Sequence, residues 1–144
     1  MSIDIDELAK RLETQVLEDA KEVFSETVLE YAYNPRNMSE LHDANGVGRM
    51  TGTCGDTVQI QIRVENGRIK ESGFITDGCG ASVACGSMLT EIVTGKTIEA
   101  ALIIDSGDLL RSLDGLPEEN VHCSVLAVDV LREAIQDYRR STLS

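Results

Sequence analysis

Three of the four cysteines stand in settings that suit metal binding. Cys54 lies in the stretch GTCGD, Cys79 in DGCGA and Cys123 in VHCSV. Glycines flank the first two, and because glycine has no side chain the backbone there can pass close to a bulky centre. Thiolates bind both Zn²⁺ and iron–sulfur clusters, so these three residues are candidate ligands of one metal or cluster site.

A carboxylate and an imidazole accompany these thiols in the sequence. Asp56 follows Cys54 by two positions, so on an extended strand the two side chains project to the same side. His122 directly precedes Cys123. Either residue could complete a four-ligand site, and the pattern does not decide between them. Asp56 could equally be a turn residue at the entry to a strand, and His122 a surface histidine.

The fourth cysteine, Cys85, is predicted to be a core residue. Six positions separate it from Cys79, which corresponds to about 240° around a helix axis. Two thiols so placed on one regular helix cannot face the same centre. Cys85 instead shares an apolar stripe at helical spacing with Ala81, Ala84, Met88, Leu89 and Ile92.

Two other uses of these residues remain open on the pattern alone. One is a structural zinc module for protein binding, although such sites favour closed cysteine and histidine sets with short CxxC spacing. The other is an enzyme with Cys123 as nucleophile and His122 as base. Adjacent residues on a helix point about 100° apart, which is poor geometry for such a pair.

The elements that would position these residues centre on a β-hairpin. Residues 58–64 alternate between apolar and polar side chains, and Asn66-Gly67 is a typical two-residue hairpin turn. Counting outward from the turn to the open end of the hairpin places Cys54 opposite Cys79. Two cysteines that are distant in sequence are therefore predicted to meet at the mouth of the hairpin.

The register of this hairpin predicts one irregularity. The count from the turn places Val58 opposite Ile75, which keeps both on the apolar face. It also places Glu71 on that face and Phe74 on the opposite one. A β-bulge near Gly73 is therefore predicted, because bulges correct such mismatches and often contain glycine.

Helical periodicity on both sides of this hairpin predicts an α+β fold. Cys79 would begin one helix and Cys123 would lie in the first turn of another, and helix N-termini lower the pKa of thiols. The predicted elements are a helix over 4–31 with a break near Ser25, a strand over 47–51, helices over 80–94, 97–103, 106–113 and 121–140, and a loop over 115–120.

Composition and charge exclude several classes of function. The chain has 144 residues and a formal net charge of −12. Binding nucleic acid through its phosphates requires a basic face, and the same charge opposes docking on anionic lipid. No apolar run has the length of a membrane span, and the first residues show no signal-peptide pattern. A cytoplasmic protein with reduced thiols is therefore predicted.

Four motifs together resemble the IscU/NifU-type iron–sulfur cluster assembly scaffolds. They are NPRNM at 34–38, GTCGDTVQIQIRV at 52–64, FITDGCGASVACGSMLTEIVTGK at 74–96 and VHCSVLAVDVLREAI at 121–135. The motifs stand in the family's order and at similar spacing, from about Ser25 onward. On this resemblance the chain divides into an N-terminal helical extension, 1–24, and a scaffold domain, 25–144.

The resemblance implies both a fold and a function. Members of this family have a small three-stranded antiparallel sheet packed against several helices. They accept sulfur from a cysteine desulfurase, build a [2Fe–2S] cluster and transfer it to apo iron–sulfur proteins, as carriers rather than enzymes. By motif match the ligands are Cys54, Asp56, Cys79 and Cys123, with His122 as the alternative to Asp56. The same residues suit Zn²⁺ in a cluster-free form. Alternatively, they could hold Zn²⁺ in a sulfur-acceptor protein of the same fold that builds no cluster.

Cys123 is the predicted acceptor of persulfide sulfur. A cysteine near the surface at a helix start can receive sulfur by thiolate chemistry. The loop GLPEEN at 115–120 precedes it and could swing aside.

Two features depart from the family pattern. Members served by a dedicated Hsp70-type chaperone usually carry Leu-Pro-Pro-Val-Lys before the last motif, whereas residues 116–120 here read LPEEN. This chaperone is therefore not expected as a partner. Residues 1–30 carry nine acidic and three basic side chains. The amphipathic segment 1–24 is predicted to dock within a homodimer or against a partner.

Overall fold

The computed structural model describes residues 4–11 and 23–143. Residues 5–11 are helical, and the three strands form one antiparallel sheet in the order β1–β2–β3, which confirms the predicted α+β fold. The elements in chain order are α1 (Glu26–Tyr33), β1 (Gly46–Thr51), β2 (Thr57–Glu65), β3 (Arg68–Thr76), α2 (Gly80–Val93), α3 (Ile98–Leu102), α4 (Ser106–Ser112), a 3₁₀ turn (Glu118–Asn120) and α5 (Val121–Leu143).

Most of the predicted elements form close to their expected bounds. The break near Ser25 is confirmed, because the Ser25 hydroxyl caps α1 by accepting from Val28 N–H (3.1 Å) and donates to Leu113 O (2.6 Å). The predicted helix over 12–22 lies outside the described residues. The predicted loop at 115–120 is wrong in its second half, where a 3₁₀ turn leads directly into α5. Within the described ranges, no helix is both long and apolar enough to cross a membrane.

The hairpin register differs from the prediction beyond its first pairs. A shift between Arg63 and Val64 adds Lys70 to β3 as a bulge, so Val58 pairs with Thr76 instead of Ile75. The bulge therefore lies nearer to the turn than the predicted position at Gly73. It reverses the alternation of β3 and places Phe74 in the core, fully buried against α2.

Gly73 has a different role from the predicted bulge. The loop 37–41 crosses the sheet there so closely that a Cβ on Gly73 would lie 2.4 Å from the carbonyl oxygen of Ser39. The same loop covers Gln61, whose Oε1 accepts a hydrogen bond from Leu41 N–H (2.8 Å). The face of β2 that the alternation predicts to be polar is therefore partly covered.

Two glycines in β1 determine where α5 lies. A Cβ on Gly46 would lie 2.6 Å from the carbonyl oxygen of Ala134, and one on Gly48 would lie 2.3 Å from that of Val130. Because neither residue has a side chain, α5 packs directly on the strand, and Leu131 and other residues of its inner face are fully buried. This packing brings the first turn of α5 to the open end of the hairpin.

Helix α2 is buried more completely than the predicted apolar stripe requires. It packs against α1, β3 and α5, and the buried residues include Ser82, Ser87 and Thr90. The Ser87 hydroxyl donates to Tyr31 O (2.9 Å) and accepts from Arg36 N–H (3.0 Å), which joins α2 to the segment after α1. The N-terminal end of α2 lies at the same end of the sheet as the start of α5.

Candidate metal-binding site

Cys54 and Asp56 lie in the connection between β1 and β2. Gly52 N–H donates to Asp56 O (2.8 Å), and Gly55 N–H donates to Gly52 O (3.0 Å). Gly55 has a φ of +90°, which glycine adopts without strain. The connection is therefore a closed turn, and the predicted extended backbone from Cys54 to Asp56 is wrong. The turn exposes Cys54 and leaves Asp56 half-buried.

The predicted pairing of Cys54 with Cys79 across the hairpin is also wrong. The ladder between β2 and β3 ends at Val58 and Thr76, before either cysteine is reached. The register shift instead brings Asp56 beside Gly78, where a Cβ would lie 2.9 Å from Asp56 Oδ2. The missing side chain at position 78 thus leaves room for the carboxylate.

Cys79 and Cys123 stand at helix starts, as predicted. Cys79 is the N-cap residue of α2, and Cys123 lies in the first turn of α5. The two thiols differ in access, because Cys79 is exposed whereas Cys123 is only 3% exposed.

Side-chain contacts connect four of the predicted site residues to one another. Asp56 is connected through Ser82, a residue that the sequence does not identify. His122 Nε2 lies 3.2 Å from Cys54 Sγ and 3.7 Å from Cys123 Sγ. On the other side, Ser82 Oγ lies 3.6 Å from Cys123 Sγ and donates to Asp56 Oδ2 at 3.3 Å. The contacts therefore run in the order Cys54, His122, Cys123, Ser82, Asp56.

The position of His122 differs from what helix geometry alone suggests. Neighbouring residues diverge at Cβ, but the imidazole is long enough for rotation about its side-chain bonds to bring Nε2 back to Cys123. The shorter distance is nevertheless to Cys54, on the turn between β1 and β2. His122 thus lies between two of the candidate thiols.

Burial and neighbouring charges determine the pKa of the Cys123 thiol. Burial raises this pKa above its ordinary value, so the lowering expected at a helix start does not prevail, and the hydrogen bond from Ser82 acts in the opposite direction to burial. Negative charges on Cys79, Cys54 and Asp56 raise this pKa further. Such charge effects fall off with distance, so all three groups lie near the Cys123 sulfur.

Cys85 is a core residue, as predicted. Its side chain is fully buried, and burial raises the pKa of its thiol, with further contributions from the charges of Cys123 and Cys79. Metal ligation by cysteine requires the thiolate. A thiol that is held protonated inside the core is therefore a poor ligand, although it lies near two of the candidates.

The candidate ligands do not form a finished coordination shell. Among the residues that the structure describes, no three Cys, His, Asp or Glu side chains lie close enough to one another to hold a metal ion. Cys54 and Cys79 are exposed, so their side chains can rotate towards a common centre without disturbing the core. Three thiols with a carboxylate and an imidazole suit an iron–sulfur cluster or Zn²⁺.

The sequence does not identify Ser82 as a site residue, because its pattern is that of a small core residue. It stands between apolar residues of the helix that follows Cys79, and it is 3% exposed. Its position three residues after the N-cap is the signal that could have identified it. A side chain in the first turn of a helix points back towards the residues that precede the helix.

The fold and the site together define the class to which this protein belongs. A three-stranded antiparallel sheet carries two helix starts and one turn at the same end, and these bring the thiols and the carboxylate together. The family model described as "NifU-like N terminal domain" matches residues 23–144. The chain belongs to this family.

Individual relatives support the same assignment. The chain is 45% identical over 119 residues to the iron-sulfur cluster assembly scaffold protein IscU 1 of Archaeoglobus fulgidus, which covers 82% of this chain and 78% of that protein. It is 42% identical over 121 residues to the scaffold protein IscU of Haemophilus influenzae, covering 81% and 95%. The crystal structure of a NifU-like N-terminal protein from Brucella abortus shares the fold, with a TM-score of 0.63 at 19% identity, covering 81% and 94%.

Proposed function

We propose that this protein is a scaffold on which a [2Fe–2S] cluster is assembled and from which it is transferred to apo-proteins. The observation that carries the proposal is the set of side-chain contacts that joins Cys54, Cys123 and Asp56 at the end of the sheet where Cys79 begins α2. The names of the relatives support the scaffold function in general. Iron and sulfide are the substrates in this scheme, and the finished cluster is the cargo.

Asp56 is proposed as the fourth ligand because a scaffold must release what it holds. Sulfur binds iron strongly, and storage sites use four thiolates. A carboxylate is a harder and weaker ligand for iron than a thiolate, so the iron atom that it binds remains open to ligand exchange. His122 is the alternative fourth ligand, and its place beside Cys54 and Cys123 supports that role.

Sulfur is proposed to enter as a persulfide at Cys123. The Cys123 thiolate attacks the outer sulfur of a desulfurase persulfide, the donor's thiolate leaves, and a persulfide forms on Cys123. Because the thiol is almost fully buried, this step requires Cys123 to become exposed. We propose that movement of the 3₁₀ turn Glu118–Asn120, which leads directly into α5, exposes it. The exposed Cys54 and Cys79 would then complete the ligand set.

The remaining partners follow from this scheme. We propose a cysteine desulfurase as sulfur donor and apo iron–sulfur proteins as acceptors, with the protein acting as a carrier and not as an enzyme. A homodimer is also proposed, and the N-terminal extension is proposed to dock within it or against a partner. A cytoplasmic location fits the need for reduced thiols. Because residues 116–120 read LPEEN, no dedicated Hsp70-type chaperone is expected.

Metal and sulfide analysis of anaerobically purified protein tests the proposed function. We expect iron and acid-labile sulfide in similar amounts, together with visible absorption from sulfur-to-iron charge transfer. Zn²⁺ in place of iron is expected only in the cluster-free fraction. Protein that contains Zn²⁺ and takes up no sulfide on reconstitution with iron, a desulfurase and cysteine would contradict the assignment as a cluster scaffold.

The N-terminal extension is expected to affect partners or assembly more than cluster binding. A chain shortened to begin at Ser25 keeps the cap of α1 and should still hold a cluster after reconstitution, with iron and sulfide near the full-length values. Phe24 packs on the core and lines a groove of about 450 Å³ beside Cys79. A second chain beginning at Val23 therefore separates loss of Phe24 from loss of the extension. If both shortened chains fold but hold no cluster, the division at residue 24 is wrong.

A further inference from the structure

We propose that Ser82 is a positioning residue that keeps the Asp56 carboxylate a weak and exchangeable ligand of the cluster. The inference rests on the proposed function, in which Asp56 is the fourth ligand. Ser82 itself stays outside the ligand set. Its role is to determine how readily the set releases its cargo.

The contacts of Ser82 single it out among the buried serines of α2. Its hydroxyl donates to Asp56 Oδ2 at 3.3 Å and lies 3.6 Å from Cys123 Sγ. A Cβ on Gly78 would lie 2.6 Å from Ser82 Oγ and 2.9 Å from Asp56 Oδ2. The glycine thus lets the hydroxyl and the carboxylate meet beneath the backbone. Ser82 therefore contacts both the carboxylate that is proposed to be labile and the thiol that is proposed to accept sulfur.

The hydrogen bond to Asp56 weakens the carboxylate as a ligand in two ways. A carboxylate can bind a metal ion through one oxygen or through both. The bond from Ser82 uses one lone pair of Oδ2, so Oδ1 becomes the oxygen that binds iron more readily. A donated hydrogen bond also draws electron density from the carboxylate, so its donation to iron becomes weaker.

One hydroxyl proton links the carboxylate to Cys123. A serine can donate only one hydrogen bond at a time, so Ser82 donates either to the Cys123 sulfur or to the carboxylate. Before the cluster forms, the Cys123 sulfur competes for this donor. When its sulfur binds iron, it carries less negative charge and accepts more weakly. The hydroxyl then turns to Asp56, so the carboxylate is weakened most when the cluster is complete.

Substitution of Ser82 by alanine tests this role. In the reconstituted full-length protein, Ser82→Ala is expected to lengthen the half-life of the cluster against a chelator by about three- to tenfold, the range that corresponds to one hydrogen bond. Ser82→Thr retains the hydroxyl and should restore the wild-type half-life. Ser87→Ala is the matched control, because it removes a buried hydroxyl from the same helix. It should lower the thermal midpoint and leave the half-life unchanged.

A second substitution at Asp56 shows whether Ser82 acts through the carboxylate. In an Asp56→Ala background, Ser82→Ala should have no further effect on the half-life. Binding of Co²⁺ alone to the cluster-free protein gives an independent measure. Here Ser82→Ala should tighten binding about threefold when Asp56 is present and not at all when it is absent.

The outcomes separate this inference from the function on which it rests. If Ser82→Ala changed the cluster half-life equally with and without Asp56, the hydroxyl would act through Cys123. If Ser82→Ala left the half-life unchanged when Asp56 is present, the hydroxyl would have no effect on cluster release. Either result overturns the role of Ser82 while the scaffold function stands. A wild-type protein that holds no iron and sulfide would overturn both.

Discussion

Replacement of Asp56 by alanine is expected to slow transfer of the cluster to an apo-ferredoxin by about tenfold, or ~1.4 kcal/mol in activation free energy. In the proposed ligand set the carboxylate is the weak ligand of iron, and its departure would open the position that an incoming thiolate needs. Without it, His122 or water fills the position, and the carboxylate-assisted route of exchange is lost. The measurement is the rate of transfer, together with the half-life of the cluster against a chelator.

Asp56→Cys is the informative companion to this variant. A fourth thiolate should give a tighter cluster with the absorption of an all-cysteine site, and transfer should be slower still. Folding should change little in either variant. Asp56 is half-buried in a turn, and each substitution removes only the hydrogen bond that its carboxylate accepts from Ser82. A loss of about 1 kcal/mol in the free energy of unfolding is expected. Equal transfer rates in all three proteins would mean that Asp56 does not control release.

Loss of any one of Cys54, Cys79 or Cys123 is expected to remove the stable cluster. Alanine at each position should reduce iron and acid-labile sulfide by at least about tenfold after reconstitution, because even residues behind the ligands affect metal affinity on that scale. The measurement is the iron and sulfide content of each variant, with thermal unfolding to show that the fold persists.

Cys85→Ala provides the matched control for these substitutions. It removes a fourth thiol that lies near Cys79 and Cys123 but is fully buried in the core. The substitution should cost about 1–2 kcal/mol in stability through the small cavity that it leaves, and should keep the wild-type iron and sulfide content. A loss of cluster in Cys85→Ala as large as that in Cys54→Ala would show that the proposed ligand set is wrong.

The sequence predicts the elements of this fold because their signals act over a few residues. Alternation of apolar side chains in 58–64 and the left-handed propensity of Asn66-Gly67 are local properties, and the hairpin forms where they indicate. The apolar stripe of α2 predicts the burial of Cys85, and the structure confirms it. The motif spacing likewise predicts the family, and the matched range 23–144 confirms it.

Tertiary packing decided the path of the chain around the site. The bulge lies at Lys70, and the shift that it produces places Phe74 against Gly86 in the core, a contact that a count along the hairpin cannot include. Position 73 requires glycine because the loop 37–41, which is distant in sequence, packs against it. Cys54 consequently reaches the site from a closed turn and not from the extended strand that the spacing suggested.

The sequence by itself determined which residue types are available and that two of the thiols stand at helix starts. Only the tertiary structure decided that Ser82 lies between Asp56 and Cys123, that His122 lies nearer to Cys54 than to Cys123, and that Cys123 is buried. The physical reason is that these contacts form between elements far apart in sequence. Their geometry depends on how α2 and α5 pack against the sheet, and local propensity does not encode that packing.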